Sequence, residues 1–193
     1  MQGNMKIVSR EFSLLSRRMK DAVMEMKNVR SLAGASMLSA LGVVIHAATT
    51  VIASLTQMIS FAFLTVGVSG LLYGPVVTGC IGAITDILKY LVKPNGGFFP
   101  GFTLSEFILG FLFGLFFYQR KITLARVFAA RLTATLLINL FLTPLWLSMM
   151  YGDAFIVLLS GRIVKNLVML PIETGLLYFL LKKVQEIVPK GQV

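Results

Sequence analysis

Two groups of polar and charged side chains lie within apolar sequence and share the spacing of one helical face. The first group recurs at i, i+3, i+4 and i+7: Asp86, Lys89, Tyr90 and Lys93. The second group, nearer the C-terminus, recurs at i, i+3, i+4 and i+11, which again is one helical face: Arg162, Lys165, Asn166 and Glu173. Charges in an apolar segment are costly and usually face a cavity or a partner. A surplus of cations there favours binding of an anion, and arginine suits a carboxylate. The alternative is that the long side chains reach out to lipid headgroups.

Short turns between antiparallel neighbours predict which of these charges lie at the same depth. Arg131 should be level with Glu173, and Lys89 with Glu106, so each acid is expected to form a structural ion pair with its basic neighbour. By the same rule, two polar residues lie level with the remaining cations on the last helix: Asn139 with Lys165, and Thr143 with Arg162.

The segment 94–102 contains two prolines, three glycines and three phenylalanines. Such a loop can cap a pocket and offer aromatic faces to a flat ring, or it can anchor the chain at a membrane interface. Both interpretations remain open. Other aromatic residues are expected to face lipid or the interface more often than a ligand: Phe61, Phe63, Tyr118 and Trp146.

The sequence predicts no catalytic residue, metal site or disulfide. His46 and Cys80 are the single members of their kinds, and we expect both to be packing or interfacial residues. There is no phosphate-binding Gly-x-x-x-x-Gly-Lys-Ser/Thr loop and no Gly-x-Ser-x-Gly motif. A membrane-embedded enzyme would need clustered acids for a metal, whereas Asp86, Glu106 and Glu173 are scattered.

Composition places these residues in a membrane protein. The 193 residues are 56% hydrophobic and only 13% charged, with a mean hydropathy of +0.84, whereas soluble proteins carry roughly 25% charged residues. A span needs roughly 20 apolar residues, which predicts an all-α bundle of six transmembrane helices. Their approximate bounds are 31–52, 57–73, 75–93, 102–119, 123–150 and 154–182.

The net charge of +10 is concentrated before the first span, in the connection 119–126 and at the C-terminus. This distribution follows the positive-inside rule, so both termini are expected in the cytoplasm and no nucleic acid is expected as a partner. We divide the chain into a basic amphipathic segment, the membrane domain and a cytoplasmic tail: 1–30, 31–185 and 186–193.

The first span contains small residues four positions apart, which let helices approach closely in lipid. This spacing is compatible with packing inside the chain or with a docking surface for another membrane subunit. The two pairs are Ala35 with Ser39 and Ser36 with Ala40.

Several motifs resemble the substrate-binding S components of energy-coupling factor (ECF) vitamin transporters. The general resemblance rests on the small-residue first span and on Gly74-Pro75-x3-Gly79-x2-Gly82-x3-Asp86. Three runs within 30–182 narrow it to the folate-specific S components: Lys93-Pro94-x-Gly96-x2-Phe99-Pro100-Gly101-Phe102-Thr103-Leu104-Ser105, Asn139-x3-Thr143-x2-Trp146-Leu147-Ser148-x2-Tyr151-Gly152, and Arg162-x2-Lys165-Asn166-x4-Pro171-Ile172-Glu173.

Two features depart from that family pattern. The family's Ala-x3-Ala contact in the first helix is replaced by Ala/Ser pairs, and Pro144 is expected to kink the fifth span.

The resemblance implies a multi-pass subunit of the bacterial cell membrane that captures folate and has no catalytic activity. It implies three partner subunits, a membrane T component and two ATPases, with ATP used by the ATPases and no cofactor in this chain. The expected ligand-binding residues are Arg162, Lys165, Asn166, Asn139, Thr143, Asp86, Lys89, Lys93, Phe99, Phe102 and Trp146. The expected contacts with the T component are Ala35, Ser36, Ser39 and Ala40. An S component for a different vitamin, and an enzyme acting on an anionic lipid, remain as alternatives.

Overall fold

The computed structural model describes residues 28–49, 51–54, 57–94, 96–152 and 154–188. Most of the expected amphipathic N-terminal segment and the last five residues lie outside these ranges. The elements in chain order are helix α1 (Val29–Thr49), strands β1 (Val51–Ser54) and β2 (Gln57–Ile59), helices α2 (Phe63–Val92), α3 (Pro100–Phe117) and α4 (Leu124–Ala134), a π-helix (Thr135–Leu142), and helices α5 (Thr143–Tyr151) and α6 (Phe155–Ile187).

Five helical stretches among the described residues are long and apolar enough to cross a membrane: α1, α2, α3, the continuous rod Leu124–Tyr151, and α6. The chain is therefore an integral membrane protein whose candidate spans are all helical, as the sequence predicts.

Residues 57–59 were expected to begin the second span, and this expectation is wrong. They form β2, which pairs antiparallel with β1 so that Val51 lies opposite Ile59. The following helix begins only at Phe63. Valine and isoleucine are common in strands, and the pairing provides hydrogen-bond partners for backbone groups between α1 and α2.

Helix α2 reverses direction at Gly74. The backbone there has φ 76° and ψ −178°, a conformation that glycine adopts without steric cost, and Pro75 follows it. The Ser69 and Thr78 hydroxyls are 3.2 Å apart, although nine residues of continuous helix would separate them by about 13.5 Å. The two halves, 63–73 and 75–92, therefore lie side by side.

Glycines on α3 allow its backbone to touch the second half of α2. A Cβ at Gly110 would collide with the Thr78 carbonyl, and one at Gly114 would collide with Pro75. Both glycines are buried. This close approach holds α3 against 75–92 and orients the charged faces of both helices.

The interior of the bundle is packed near one end. We call this the Gly74 end, which carries the turn at Gly74 and the connection 118–123; the opposite Gly152 end carries the loop 93–99 and the turn at Gly152. Seven core residues near the Gly74 end have no exposed surface: Leu71, Phe113, Phe117, Val127, Ala130, Leu177 and Leu181. Tyr118 and Phe63, which were expected to face lipid or the membrane interface, are both buried, and Phe63 belongs to this core.

Candidate ligand-binding site

A cavity of about 350 Å³ occupies the half of the bundle towards the Gly152 end, within the usual range for small-molecule sites. Its walls come from α1, the connection after β2, α2, the loop 96–99, α3, the π-helix, α5 and α6. Ten of the eleven residues predicted to bind a ligand line it: Asp86, Lys89, Lys93, Phe99, Phe102, Asn139, Thr143, Arg162, Lys165 and Asn166.

Trp146, the eleventh residue, lies behind the cavity wall. Its ring centroid is 5.8 Å from that of Phe99, and its indole N–H donates to the Ser105 hydroxyl at 3.0 Å. Both contacted residues line the cavity. Trp146 therefore supports the aromatic wall, and the bare Gly101 backbone makes room for it because a Cβ there would meet the indole at 2.5 Å.

Both predicted ion pairs form on the cavity wall. Lys89 Nζ lies 3.1 Å from Glu106 Oε1, and the Arg131 guanidinium contacts the Glu173 carboxylate. Among the described lining residues, five are basic and three acidic, an excess of two positive charges: Lys89, Lys93, Arg131, Arg162 and Lys165 against Asp86, Glu106 and Glu173. The net charge of the cavity lining is therefore suited to a ligand with about two negative charges.

The predicted depth of Glu106 is wrong, although its ion pair is right. A Cβ on Gly82 would meet the Glu106 carbonyl at 2.5 Å, so Glu106 lies level with Gly82 and not with Lys89. One level nearer the Gly152 end, Thr103 donates to Asp86 at 2.8 Å. Because helical side chains point towards the helix N-terminus, Lys89 reaches back along α2 to meet Glu106.

A short polar network joins the π-helix to α6. Asn139 donates to the Asn166 side-chain oxygen at 3.1 Å, and Asn166 donates to the Arg162 carbonyl at 2.8 Å. Arg162 and Asn166 are each only 8% exposed, and Lys165 is half-buried. The π-helix ends directly before the Thr143-Pro144 pair, where a kink was expected, and Thr143 donates to the Ile138 carbonyl five residues back. Such widened turns are frequent at functional sites.

Aromatic side chains of the loop 93–99 form the wall at the Gly152 end. Phe98 lies against Tyr90 with ring centroids 5.3 Å apart, and Phe99 packs near Phe102. Gly96 lets the loop approach Tyr151, because a Cβ there would meet the Tyr151 hydroxyl at 2.5 Å. The loop thus covers part of the cavity, a geometry compatible with a cap.

Sequence reasoning missed several lining residues. His46 lines the cavity and lies 3.2 Å from the Ser60 hydroxyl, on opposite sides of the hairpin. Its type and spacing did not distinguish this position from ordinary packing. Tyr151 also lines the cavity, and its place in the Tyr151-Gly152 run was the available signal. In the part of the chain that the structure describes, no group of three His, Cys, Asp or Glu residues could hold a metal.

The four predicted partner contacts on α1 divide between two faces. Ala35 is fully buried, and Ser39 is 7% exposed with its hydroxyl 2.6 Å from that of Thr85. Both pack inside the chain, so they are not available on the surface of the isolated subunit. Ser36 and Ala40 are exposed, because residues one position apart on a helix lie about 100° apart around its axis.

The sequence matches the family described as "ECF transporter, substrate-specific component" over residues 30–181. The chain belongs to this family of transporter subunits; it is a multi-pass protein of the bacterial cell membrane and is not an enzyme.

Two relatives and one solved structure within this family are similar to the chain. A protein of Clostridium novyi (strain NT) named "Folate transporter FolT" is 40% identical over 120 residues, which are 62% of this chain and 70% of that protein. A protein of Leuconostoc mesenteroides subsp. mesenteroides with the same name is 36% identical over 129 residues, 64% and 70% of the two chains. A solved structure, "Crystal structure of FolT bound with folic acid", matches with a TM-score of 0.76 and 35% identity over 81% of this chain and 95% of that one.

Proposed function

We propose that this chain is the folate-capturing S component of an ECF transporter. The observation that carries the proposal is the cavity, where a surplus of two positive charges lies beside aromatic walls in a chain similar to FolT proteins. Folate has a flat pterin ring and a glutamate with two carboxylates, so its shape and charge complement this combination.

Within the cavity, we assign the anionic end of folate to the Arg162, Lys165 and Asn166 face of α6. Arg162 is already buried, so binding a carboxylate there requires little further desolvation of the cation. The remaining contacts are assigned to the other predicted residues on the wall: Asp86, Lys89, Lys93, Phe99, Phe102, Asn139 and Thr143, with Trp146 supporting Phe99.

We further propose six membrane spans, with the two halves of α2 counted separately and both termini in the cytoplasm. The Gly152 end then faces outward, because the basic connection at Arg120, Lys121 and Arg126 lies at the Gly74 end. The packed core on that side closes the inner half of the subunit. Inward release then requires a T component and two ATPases, and ATP is used by those partners.

Ligand identification tests the proposal directly. The detergent-solubilised protein should co-purify with folates detectable by mass spectrometry. After the ligand is removed, it should bind folic acid saturably at a 1:1 ratio in calorimetry. Riboflavin and thiamine serve as competitors and should fail to displace folic acid. Co-purification of another vitamin, with no saturable binding of folic acid, would show that the chain serves that vitamin instead.

A further inference from the structure

A second, much smaller cavity lies between α1 and the two halves of α2. Its volume is about 10 Å³, roughly the space that one water molecule needs. Among the described residues, it shares no lining residue with the candidate ligand-binding site. Three of its eight lining residues are apolar, and the other five carry hydroxyl groups and are at most 7% exposed: Ser39 from α1, Thr65 and Ser69 from 63–73, and Thr78 and Thr85 from 75–92.

Four of these hydroxyl groups form two hydrogen-bonded pairs. The oxygens of Ser39 and Thr85 are 2.6 Å apart, and we call these residues the Ser39 pair. Those of Ser69 and Thr78 are 3.2 Å apart and form the Ser69 pair. Because each hydroxyl has one proton, the single bond within a pair uses one of its two protons. The structure shows no acceptor for the other proton among the described residues, and buried donors generally require one.

The fifth hydroxyl group, that of Thr65, can accept a hydrogen bond. Its own proton goes to the Ala62 carbonyl at 2.8 Å, and its two lone pairs can still receive donors. A Cβ on Gly42 would meet the Thr65 oxygen at 2.7 Å, so the bare glycine lets α1 lie directly against this group. The cavity therefore combines two spare donors with an available acceptor.

We infer that one buried water molecule occupies this cavity and joins α1 to both halves of α2. The water accepts a proton from the Ser39 pair and one from the Ser69 pair, and it donates to Thr65 Oγ1. Buried waters typically make about three such bonds. A monovalent cation does not fit, because it cannot accept a hydrogen bond and the lining residues include no carboxylate to balance its charge.

The water has a positioning role for α1. This helix packs mainly against α2, and an adjoining face exposes Ser36 and Ala40, the two predicted partner contacts that remain on the surface. Because the water bonds to three helical segments at once, it fixes α1 relative to both halves of α2. The inference does not depend on which vitamin the subunit carries.

A double-mutant cycle between the two hydroxyl pairs tests the bridge. Ser39→Ala and Ser69→Ala each remove one hydroxyl group, and each residue bonds within its own pair and not to the other. Each change should lower the melting temperature of the complete chain in detergent by about 3–6 °C. The double variant should lose clearly less than the sum, because either single change already disrupts the shared water. Strictly additive losses would mean that the two pairs share no water, and the inference would be wrong.

Ser160→Ala is the matched control for the cycle. Ser160 is an exposed serine on α6 whose hydroxyl donates to the Val157 carbonyl. Its replacement should change the melting temperature by only about 1 °C, and this change should add to that of Ser69→Ala.

A crystal structure identifies the occupant directly and does not depend on whether the variants fold. The unaltered subunit is crystallised with rubidium as the monovalent cation, at a resolution that shows ordered water. We expect a density peak in the cavity, about 2.5–3.0 Å from the hydroxyl oxygens, without the anomalous signal of rubidium. A peak with that signal would show a cation site instead. A cavity without density would show that the hydroxyl groups bond only to one another, and either result would overturn the inference.

Discussion

Replacing Arg162 by alanine should weaken folate binding by about 1.5–3 kcal/mol, or roughly 10- to 150-fold. Arg162 is 8% exposed, so most of its desolvation cost is incurred when the protein folds and not when the ligand binds. At about 4 Å and an effective dielectric constant of about 20, its attraction to one carboxylate is about 4 kcal/mol. The net loss is smaller because water enters the space that the side chain leaves.

Replacing Arg162 also affects the ligand-free protein through the neighbouring Lys165, and this effect is favourable whereas the loss of attraction to the ligand is unfavourable. The two cations are three residues apart on one helical face, so they repel in the empty cavity. Removing Arg162 relieves this repulsion in the unliganded protein, and the thermal stability without ligand should therefore change less than the affinity. Loss of attraction to the ligand dominates, because folate contributes two negative charges and Lys165 only one positive charge.

Calorimetric titration of the purified subunit with folic acid provides the assay, and Lys183→Ala provides a control. The Lys183 side chain is 58% exposed, so its removal should not affect binding. Arg162→Lys should show an intermediate affinity, because it keeps the charge but loses the two-pronged donor geometry. A folded Arg162→Ala variant with the affinity of the unaltered chain would refute the assignment of the anionic end to α6.

Three further predictions concern the bundle and its partner. Arg131→Ala and Glu173→Ala should each lower stability by about 3–5 kcal/mol, because either change leaves a buried charge unpaired. The double variant should lose less than the sum of the two in a thermal-unfolding cycle. Ser36→Trp should leave folate binding by the isolated subunit intact but abolish uptake by the assembled transporter, because this exposed small residue is placed to contact the T component. Gly114→Ala should lower the melting temperature through its collision with Pro75, whereas Gly175→Ala, with no atom within 4 Å of the added Cβ, should raise it slightly.

Each of these expectations has a contrary outcome. Strictly additive losses at Arg131 and Glu173 would show that the two residues do not stabilise each other. Normal uptake with Ser36→Trp would remove α1 as the coupling surface, and lost binding would mean that the change disturbs the cavity instead. Equal melting temperatures for the two glycine variants would contradict the close backbone contact between α2 and α3.

Local sequence determined the apolar stretches and the pairing of charges between neighbouring helices. Long apolar runs can be recognised without a partner, because lipid requires them for each span. Arg131 and Glu173 could be matched because a short turn aligns the rod Leu124–Tyr151 antiparallel to α6. The strong cost of an unpaired buried charge then made the pair predictable from position alone.

Tertiary structure decided which face of each helix points inward and the register in which neighbouring helices pack. Glycine contacts between α2 and α3 set a register that places Glu106 level with Gly82, a packing effect that spacing alone does not encode. His46 lies in the cavity wall beside Ser60, fourteen residues later in the chain, a contact that residue spacing within one helix does not predict. The pattern of small residues on α1 likewise did not distinguish the buried Ala35 from the exposed Ser36. In each case the outcome depends on contacts between distant segments, because shape fit between helices, and not the residue type, determines where they meet.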